Sequence, residues 1–140
     1  MPIERREELE YRHLAPMLKN RHAEPLFVKA RPLEDESMPI PLSTHTGHEF
    51  DYVLSGHLKL QLGDKIEILN PGDSAFYDSS YPHGMVSVDS EGCEFLAIVM
   101  KNHRLVDSEN FISLVLKHSV LAQQFRMLKL FHLHTHISTT

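Results

Sequence analysis

The sequence has very little cysteine and no long apolar run. With one cysteine, Cys93, in 140 residues, it cannot form an intrachain disulfide framework, and a cytoplasmic location is expected. No stretch reaches the roughly 18 consecutive apolar residues of a membrane span, so we expect no membrane insertion. The first residues are charged rather than apolar, so a signal peptide is not expected either.

The chain also lacks an excess of positive charge and the short motifs of several enzyme classes. Its formal net charge of -5 at pH 7 argues against direct binding to nucleic acid or to anionic membranes. No G-x-S-x-G nucleophile elbow, phosphate loop or dinucleotide fingerprint occurs. A content of 41% hydrophobic and 24% charged residues is ordinary for a globular protein, and 140 residues suffice for one domain with a hydrophobic core.

The middle of the chain alternates apolar and polar residues with a period of two, which predicts β-strands. The alternation runs through residues 50–55, 58–62 and 66–69. A strong turn signal follows at 70–73, and residues 93–101 form an apolar run typical of a buried strand. Short strands at close spacing predict an all-β sandwich or barrel.

The two ends differ from this all-β middle. Residues 1–24 begin with many charges and are expected to form a solvated N-terminal arm or a short helix, and residues 25–104 form the barrel. In residues 105–140 apolar positions fall on two helical stripes, which predict a C-terminal helical segment and a tail. Two stripes exceed what one barrel face covers. We therefore expect a homodimer, joined by barrel edges or by residues 108–131.

Eleven histidines are an unusual number, and two of them stand out together with one acid. His45 and Glu49 flank a tight turn, and His83 follows another turn. Two imidazoles and one carboxylate could hold a divalent transition metal such as iron, manganese, nickel or zinc, and would leave coordination positions open. The alternative is a polar pocket in which both histidines hydrogen-bond Glu49 and water.

The remaining candidates have structural explanations. Aromatic residues of the predicted strands are expected in the core or the barrel lining: Phe50, Tyr52, Phe76, Tyr77 and Phe95. For Tyr52 and Tyr77 the alternative is stacking against a ligand. Cys93 is expected to be an inert core residue. The histidines of the tail, at 132, 134 and 136, could bind metal adventitiously, but a disordered tail is expected there.

The spacing of the candidate metal ligands resembles the two motifs of the cupin superfamily, a group of small β-barrels. The first family motif is G-x5-H-x-H-x3or4-E-x6-G, and this chain has His45, Glu49 and Gly56 at its spacing. The second is G-x5-P-x-G-x2-H-x3-N, and Gly72 and His83 fit it. The resemblance covers about residues 25–101. It implies a double-stranded β-helix, or jelly-roll, barrel.

The chain departs from these motifs at four positions: Ser43 for the first His, Asp78 for Pro, Ser80 for Gly and Ser87 for Asn. Metal-binding cupins usually hold the ion with three histidines and one glutamate. The resemblance therefore carries over only His45, Glu49 and His83 as ligands. His48 is an extra histidine beside Glu49, but neighbouring strand residues face opposite sides, so His48 should point outward if Glu49 points inward.

A looser resemblance runs from Leu14 to Met85. This stretch is similar to cupin sensor domains that follow a helix-turn-helix in bacterial transcription regulators. Residues 1–24 are too short for a helix-turn-helix, so the resemblance implies small-molecule binding and dimerisation without DNA binding by this chain.

Three functions follow as hypotheses. The first is a small-molecule-binding, sensor-like module that takes a small anionic ligand at the barrel mouth; His45, His83, Tyr52 and Tyr77 are its candidate ligand-binding residues. The second is a metal-dependent oxygenase, isomerase or lyase, whose catalytic residues the sequence does not assign. The third is a structural or partner-binding protein with an empty barrel. The fold alone does not decide among them.

Overall fold

All regular structure in the computed structural model, which describes residues 3–6, 8–101 and 114–116, is β-strand. The strands are β1 (Ile3–Arg6), β2 (Leu9–His13), β3 (Ala23–Ala30), β4 (His48–Ser55), β5 (Leu58–Leu62), β6 (Lys65–Leu69), β7 (Ser74–Asp78), β8 (His83–Ser87), β9 (Cys93–Met100) and β10 (Leu114–Leu116). Within the described ranges, no helix has the length and apolar character needed to cross a membrane.

The strands form two antiparallel sheets that enclose one core. The larger sheet has the order β1-β2-β3-β9-β4-β7-β10, and the smaller one has the order β6-β5-β8. Buried side chains from both sheets meet between them, including Val28 and Phe95 from the larger sheet and Leu58 and Leu60 from the smaller. Burial of each such side chain stabilises the fold by about 1.5–3 kcal/mol. The all-β prediction is confirmed.

The predicted turns fall between strands where the sequence placed them. Gly63 joins β5 to β6 with a φ of 58°, and Gly72 precedes β7 with a φ of 87°. Both φ values lie in the left-handed region that glycine adopts without steric cost. Asp73 also stabilises its turn, because its Oδ2 accepts a hydrogen bond of 2.8 Å from the Asn70 amide.

The N-terminal residues differ from the predicted solvated arm or short helix. β2 pairs with β3 over its whole length, and β1 pairs with β2. Leu9 and Tyr11 alternate with charged residues and pack against the core. The local density of charge masked this period-two pattern in the sequence. The larger sheet thus extends into residues 1–24, and the expectation of a helix or a free arm is wrong for β2.

At the other end, most of the predicted helical segment lies outside the described residues. Of residues 105–140 the structure describes Leu114–Leu116, which form β10 and pair with β7. A helix is therefore wrong for these three residues, where pairing with a sheet edge satisfies the backbone. The two apolar stripes and the histidines at 132, 134 and 136 lie outside the described residues.

β4 points its two acidic side chains inward and its aromatic side chains outward. Glu49, Asp51 and Val53 are buried, whereas Tyr52 is 39% exposed. Side chains alternate between the two faces of a strand, so Phe50 shares the outer face with Tyr52. The expectation that Tyr52 lies in the core is wrong, because period-two alternation does not say which of the two sets faces inward.

The other aromatic residues divide in the same way. Phe76 on β7 pairs with Phe50 and is 38% exposed, so its predicted core position is also wrong. Tyr77 and Phe95 are buried, as predicted.

Candidate metal centre

The structure brings His45, Glu49 and His83 together from three different elements. His45 lies in the loop before β4, Glu49 is the second residue of β4, and His83 begins β8. One nitrogen or oxygen of each residue lies within 4.8 Å of the corresponding atoms of the other two. The imidazole rings of His45 and His83 stand edge to face, with their centroids 4.9 Å apart.

Backbone hydrogen bonds fix the loop that carries His45. Ser43 and His83 exchange two amide–carbonyl hydrogen bonds, of 2.9 and 3.0 Å, and the His45 amide donates to the Ser79 carbonyl at 2.9 Å. Gly84 makes this close approach possible. A Cβ atom at Gly84 would lie 2.1 Å from the carbonyl oxygen of Pro41, which no side chain could tolerate. The absence of a side chain at residue 84 therefore lets the segment that leads to His45 lie close to β8.

Both histidines direct Nε2 at the same carboxylate oxygen. His45 Nε2 lies 3.3 Å and His83 Nε2 lies 3.5 Å from Glu49 Oε2. His83 Nδ1 lies 2.8 Å from the Tyr81 carbonyl oxygen, and His45 Nδ1 lies 3.3 Å from that of Thr46. A carbonyl oxygen only accepts, so the shorter contact assigns a proton to His83 Nδ1. In His45 each ring nitrogen lies 3.3 Å from an acceptor.

A neutral imidazole protonated at Nδ1 leaves a lone pair on Nε2. In His83 that lone pair faces a carboxylate, which is also an acceptor, and in a neutral His45 one of the two ring nitrogens faces an acceptor without a proton. A cation in the cluster would satisfy both. The cation can be a proton or a metal ion. Histidines that ligate metals commonly donate their second ring N–H to a backbone carbonyl, as His83 does and as the Nδ1 of His45 is placed to do. The donor set of two imidazole nitrogens and one carboxylate fits a divalent transition metal.

The electrostatics keep Glu49 ionised. Its burial, with 6% of its surface exposed, opposes ionisation, but hydrogen bonds from protonated His45 and His83 and from Asp51 outweigh that effect and lower the pKa of Glu49 to about 2. Burial, and then the negative charge of Glu49, raises the pKa of Asp51 well above its ordinary value. The two buried acids therefore favour opposite forms: a carboxylate at Glu49 and a protonated acid at Asp51.

Asp51 and Tyr77 are buried next to the three candidate ligands. Tyr77 Oη donates a hydrogen bond of 2.9 Å to Asp51 Oδ2, and the Tyr77 ring lies 5.2 Å from the His83 ring. Asp51 Oδ1 is buried. While both acids are carboxylates, it has no hydrogen-bond partner among the described residues. A proton on Oδ1 would let Asp51 donate towards Glu49. The sequence prediction missed Asp51, although its place two residues after Glu49 put it on the same face.

The candidate ligands lie at one end of a cavity of about 350 Å³. Its other walls are largely apolar and come from β2, β3, β8 and β9. Ser43, which stands where cupins have a histidine, also lines it. Tyr52 lies on the opposite face of β4, so the structure does not bring this candidate ligand-binding residue to the cavity. Tyr77 lies beneath the cluster, in contact with the His83 ring.

Two neighbouring residues take the positions that the sequence predicted. His48 is exposed on the outer face and therefore cannot replace the histidine missing at Ser43. Cys93 is buried in β9, and burial, followed by the charges of Asp89 and Glu94, raises the pKa of its thiol to about 12. A thiol that does not ionise is a poor nucleophile, so Cys93 is an inert core residue.

The comparisons with known proteins agree with this architecture. Residues 34–99 match the family described as a cupin domain. The barrel is therefore a cupin domain, as the motif spacing predicted. No curated protein matches the sequence.

Among solved structures, the chain is similar to Fe(II)-HppE with the alternative substrate (S)-1-HPP, at 24% identity over 71% of this chain and 55% of that one, with a TM-score of 0.58. An HTH_3 family transcriptional regulator from Vibrio cholerae is 21% identical over 69% and 52%, with a TM-score of 0.55. The plu4264 protein from Photorhabdus luminescens is 19% identical over 72% and 82%, with a TM-score of 0.58. The chain thus spans about half the length of the first two.

Proposed function

We propose that this protein is a small-molecule-binding, sensor-like cupin whose barrel holds a divalent transition metal on His45, Glu49 and His83. One observation carries the proposal: both Nε2 atoms converge on Glu49 Oε2 while both Nδ1 atoms face backbone carbonyls. Iron, manganese, nickel and zinc suit this donor set, whereas calcium and magnesium prefer oxygen ligands. When bound, the ion would supply Lewis-acid chemistry at the polar end of the cavity.

A metal-dependent oxygenase, isomerase or lyase is the second candidate function. It is favoured by the buried pair of Asp51 and Tyr77, which could move a proton to or from Glu49. The similar structure of HppE also contains Fe(II). The sensor-like function is preferred because Ser43 provides a hydroxyl where a fourth, firmly held ligand would be expected. Turnover of a ligand by the metal-loaded protein would decide for the enzyme.

Metal binding itself is tested by replacing one ligand. His83→Ala should weaken metal affinity by more than about 100-fold, because removing a direct ligand costs more than the 10–100-fold loss typical of outer-shell changes. Elemental analysis of untagged protein and calorimetric titration with Zn²⁺ measure this effect. His48→Ala is the matched control, since His48 neighbours Glu49 in the chain but points outward. It should keep wild-type affinity.

Two outcomes would contradict the proposal. If His83→Ala retains its full metal content, the site lies elsewhere, for example among the histidines at 132, 134 and 136. If the wild type neither contains metal nor binds Zn²⁺, the hydrogen-bonded polar pocket replaces the metal centre, and the enzyme loses most of its support.

We also propose that the protein works in the cytoplasm and does not contact nucleic acid itself. The buried single thiol needs no oxidising compartment, and the net charge of -5 disfavours a phosphate backbone. The similarity to a transcriptional regulator supports a sensor role in which DNA binding, if any, belongs to another chain.

A further inference from the structure

The cavity beside the candidate metal centre has two chemically different ends. At one end His45, Glu49 and His83 supply the ligand atoms of the cluster, and Ser43, which pairs with His83, lines the cavity beside them. Away from that end, the lining from β3 and β9 consists of aliphatic and aromatic side chains: Leu26, Val28, Phe95 and Ala97. Val99, which pairs with Glu49, lies beside the cluster. A molecule that fills this space must therefore present a polar head to the cluster and an apolar body to the two strands.

The charges around the cavity limit what the head and body can carry. Among the described lining residues there is no lysine or arginine, and Glu8 is the one charged side chain outside the cluster. A divalent ion on two neutral imidazoles and one carboxylate leaves a net charge of plus one. One negative charge on the ligand matches it. A second negative charge would face Glu8 and walls that offer no cationic side chain, which is costly in a buried site.

We infer that the ligand is a small monocarboxylate, or a similar singly charged oxygen acid, with an apolar tail. This inference rests on the proposed metal centre, since the cation that matches the head is the ion. The tail lies against Leu26 and Val28 of β3 and Phe95 and Ala97 of β9. The cluster selects the charge of the head, and the apolar residues of β3 and β9 select the length of the tail.

A series of simple acids tests the tail. With protein loaded with one equivalent of Zn²⁺, the Kd values of butanoate, hexanoate and octanoate are measured by NMR titration. Each methylene that becomes buried contributes about 0.8 kcal/mol, so hexanoate should bind about fifteenfold more tightly than butanoate. Affinity that does not depend on chain length would overturn the apolar tail.

Two further probes test the charges. Adipate has the length of hexanoate and a second carboxylate, and it should bind at least about tenfold more weakly. Equal or tighter binding of adipate would overturn the single charge, and tighter binding of 6-aminohexanoate than of hexanoate would overturn the apolar end. Metal-free protein should bind hexanoate much more weakly than the zinc form does. Equal affinity of the two forms would show that the carboxylate of the ligand does not bind the metal.

Variants on β3 test whether the apolar tail lies in the cavity. Leu26→Phe adds volume inside the cavity and should remove the advantage of octanoate over hexanoate without changing Zn²⁺ affinity. Phe27→Leu is the matched control, because the side chain of Phe27 lies on the outer face beneath the Arg12 guanidinium and lines no part of the cavity. Leu26→Phe protein with an unchanged chain-length profile would overturn the assignment of this wall.

The zinc titration separates the two possible failures. If Zn²⁺ does not bind, the proposed metal centre fails, and the metal-held carboxylate fails with it. If Zn²⁺ binds and the acids show the wrong dependence on length or charge, the metal centre stands and the ligand class alone is wrong.

Discussion

Tyr77 supplies a hydrogen-bond donor to the buried Asp51. Its hydroxyl donates to Asp51 Oδ2, and Asp51 is fully buried. Tyr77→Phe keeps the ring and removes this donor, which leaves a buried acceptor unpaired and should lower the free energy of unfolding by about 1–3 kcal/mol. Urea denaturation of the metal-free protein measures the change.

The control for this prediction is Tyr52→Phe, which removes the same hydroxyl from an exposed tyrosine on the outer face of β4. Its effect should stay within about 0.5 kcal/mol. Equal stability of the two variants would show that the hydrogen bond to Asp51 contributes nothing.

At the scale of elements, Asp89 joins two turns at one end of the barrel. Its carboxylate accepts hydrogen bonds from the His57 amide at 2.6 Å and from His57 Nδ1 at 3.0 Å. The turn between β4 and β5 is thereby attached to the segment between β8 and β9. These hydrogen bonds lower the pKa of Asp89 below its ordinary value of 3.8.

A lowered pKa gives the sign of the pH dependence. The folded state holds Asp89 as a carboxylate more readily than the unfolded chain, so its contribution to stability is present above pH 3.8 and declines as the pH falls below it. Asp89→Asn should therefore lower the urea midpoint near pH 6, by an amount that shrinks in acid. Glu91→Gln, on the same segment, controls for the loss of a negative charge. A difference that does not change with pH would contradict this account.

Individual strands were predictable from the sequence where alternation and turn residues agree. The stretch from Leu58 to Asp73 shows both signals, and the structure has β5, β6 and their turns there. β2 was not predictable, because Glu8, Glu10 and Arg12 alternate with Leu9 and Tyr11 and give this segment the charge density of a solvated arm. Which face of β4 points inward was not predictable either. Acidic residues usually lie on the exposed face of a strand, but here Glu49 and Asp51 are buried and Tyr52 is exposed.

At the scale of the whole molecule, the outer face of the larger sheet supports the proposed homodimer. Phe50 and Phe76 contact each other there, with ring centroids 6.3 Å apart, and Tyr52, Leu54 and Phe76 are each about two-fifths exposed. An apolar sheet face of this kind is commonly covered by a second copy across a two-fold axis. This face is an alternative to the barrel edges and to residues 108–131.

Light scattering tests the dimer and its interface. The wild type should show twice the monomer mass of 16.1 kDa at micromolar concentration, and Tyr52→Asp should shift it towards the monomer. Val88→Asp places the same charge at a residue 49% exposed outside this face and should leave the dimer intact. A monomeric wild type would refute the dimer, and a Tyr52→Asp dimer would move the interface to another surface.

The sequence could predict which three residues of the site come together, but it could not predict the residues that line the rest of the cavity. Motif spacing related His45, Glu49 and His83 because the barrel implied by the resemblance places those three positions together. The cavity walls carry no such motif. Leu26 and Ala97 become neighbours only through the pairing of β3 with β9, which spans about half of the chain. The sequence therefore indicated the polar end of the cavity, and only the fold shows the apolar one.

The state of Cys93 has a practical consequence for studying this molecule. It is the only cysteine in the chain, it is fully buried, and its thiol pKa is raised to about 12. A maleimide or a spin-label reagent needs an accessible thiolate, so it should leave the folded native chain unmodified. A cysteine introduced at an exposed position would then be the single labelled site, and the natural thiol could be kept. Fluorescence and electron-resonance distances could thus be recorded on a protein that differs from the native one at one residue.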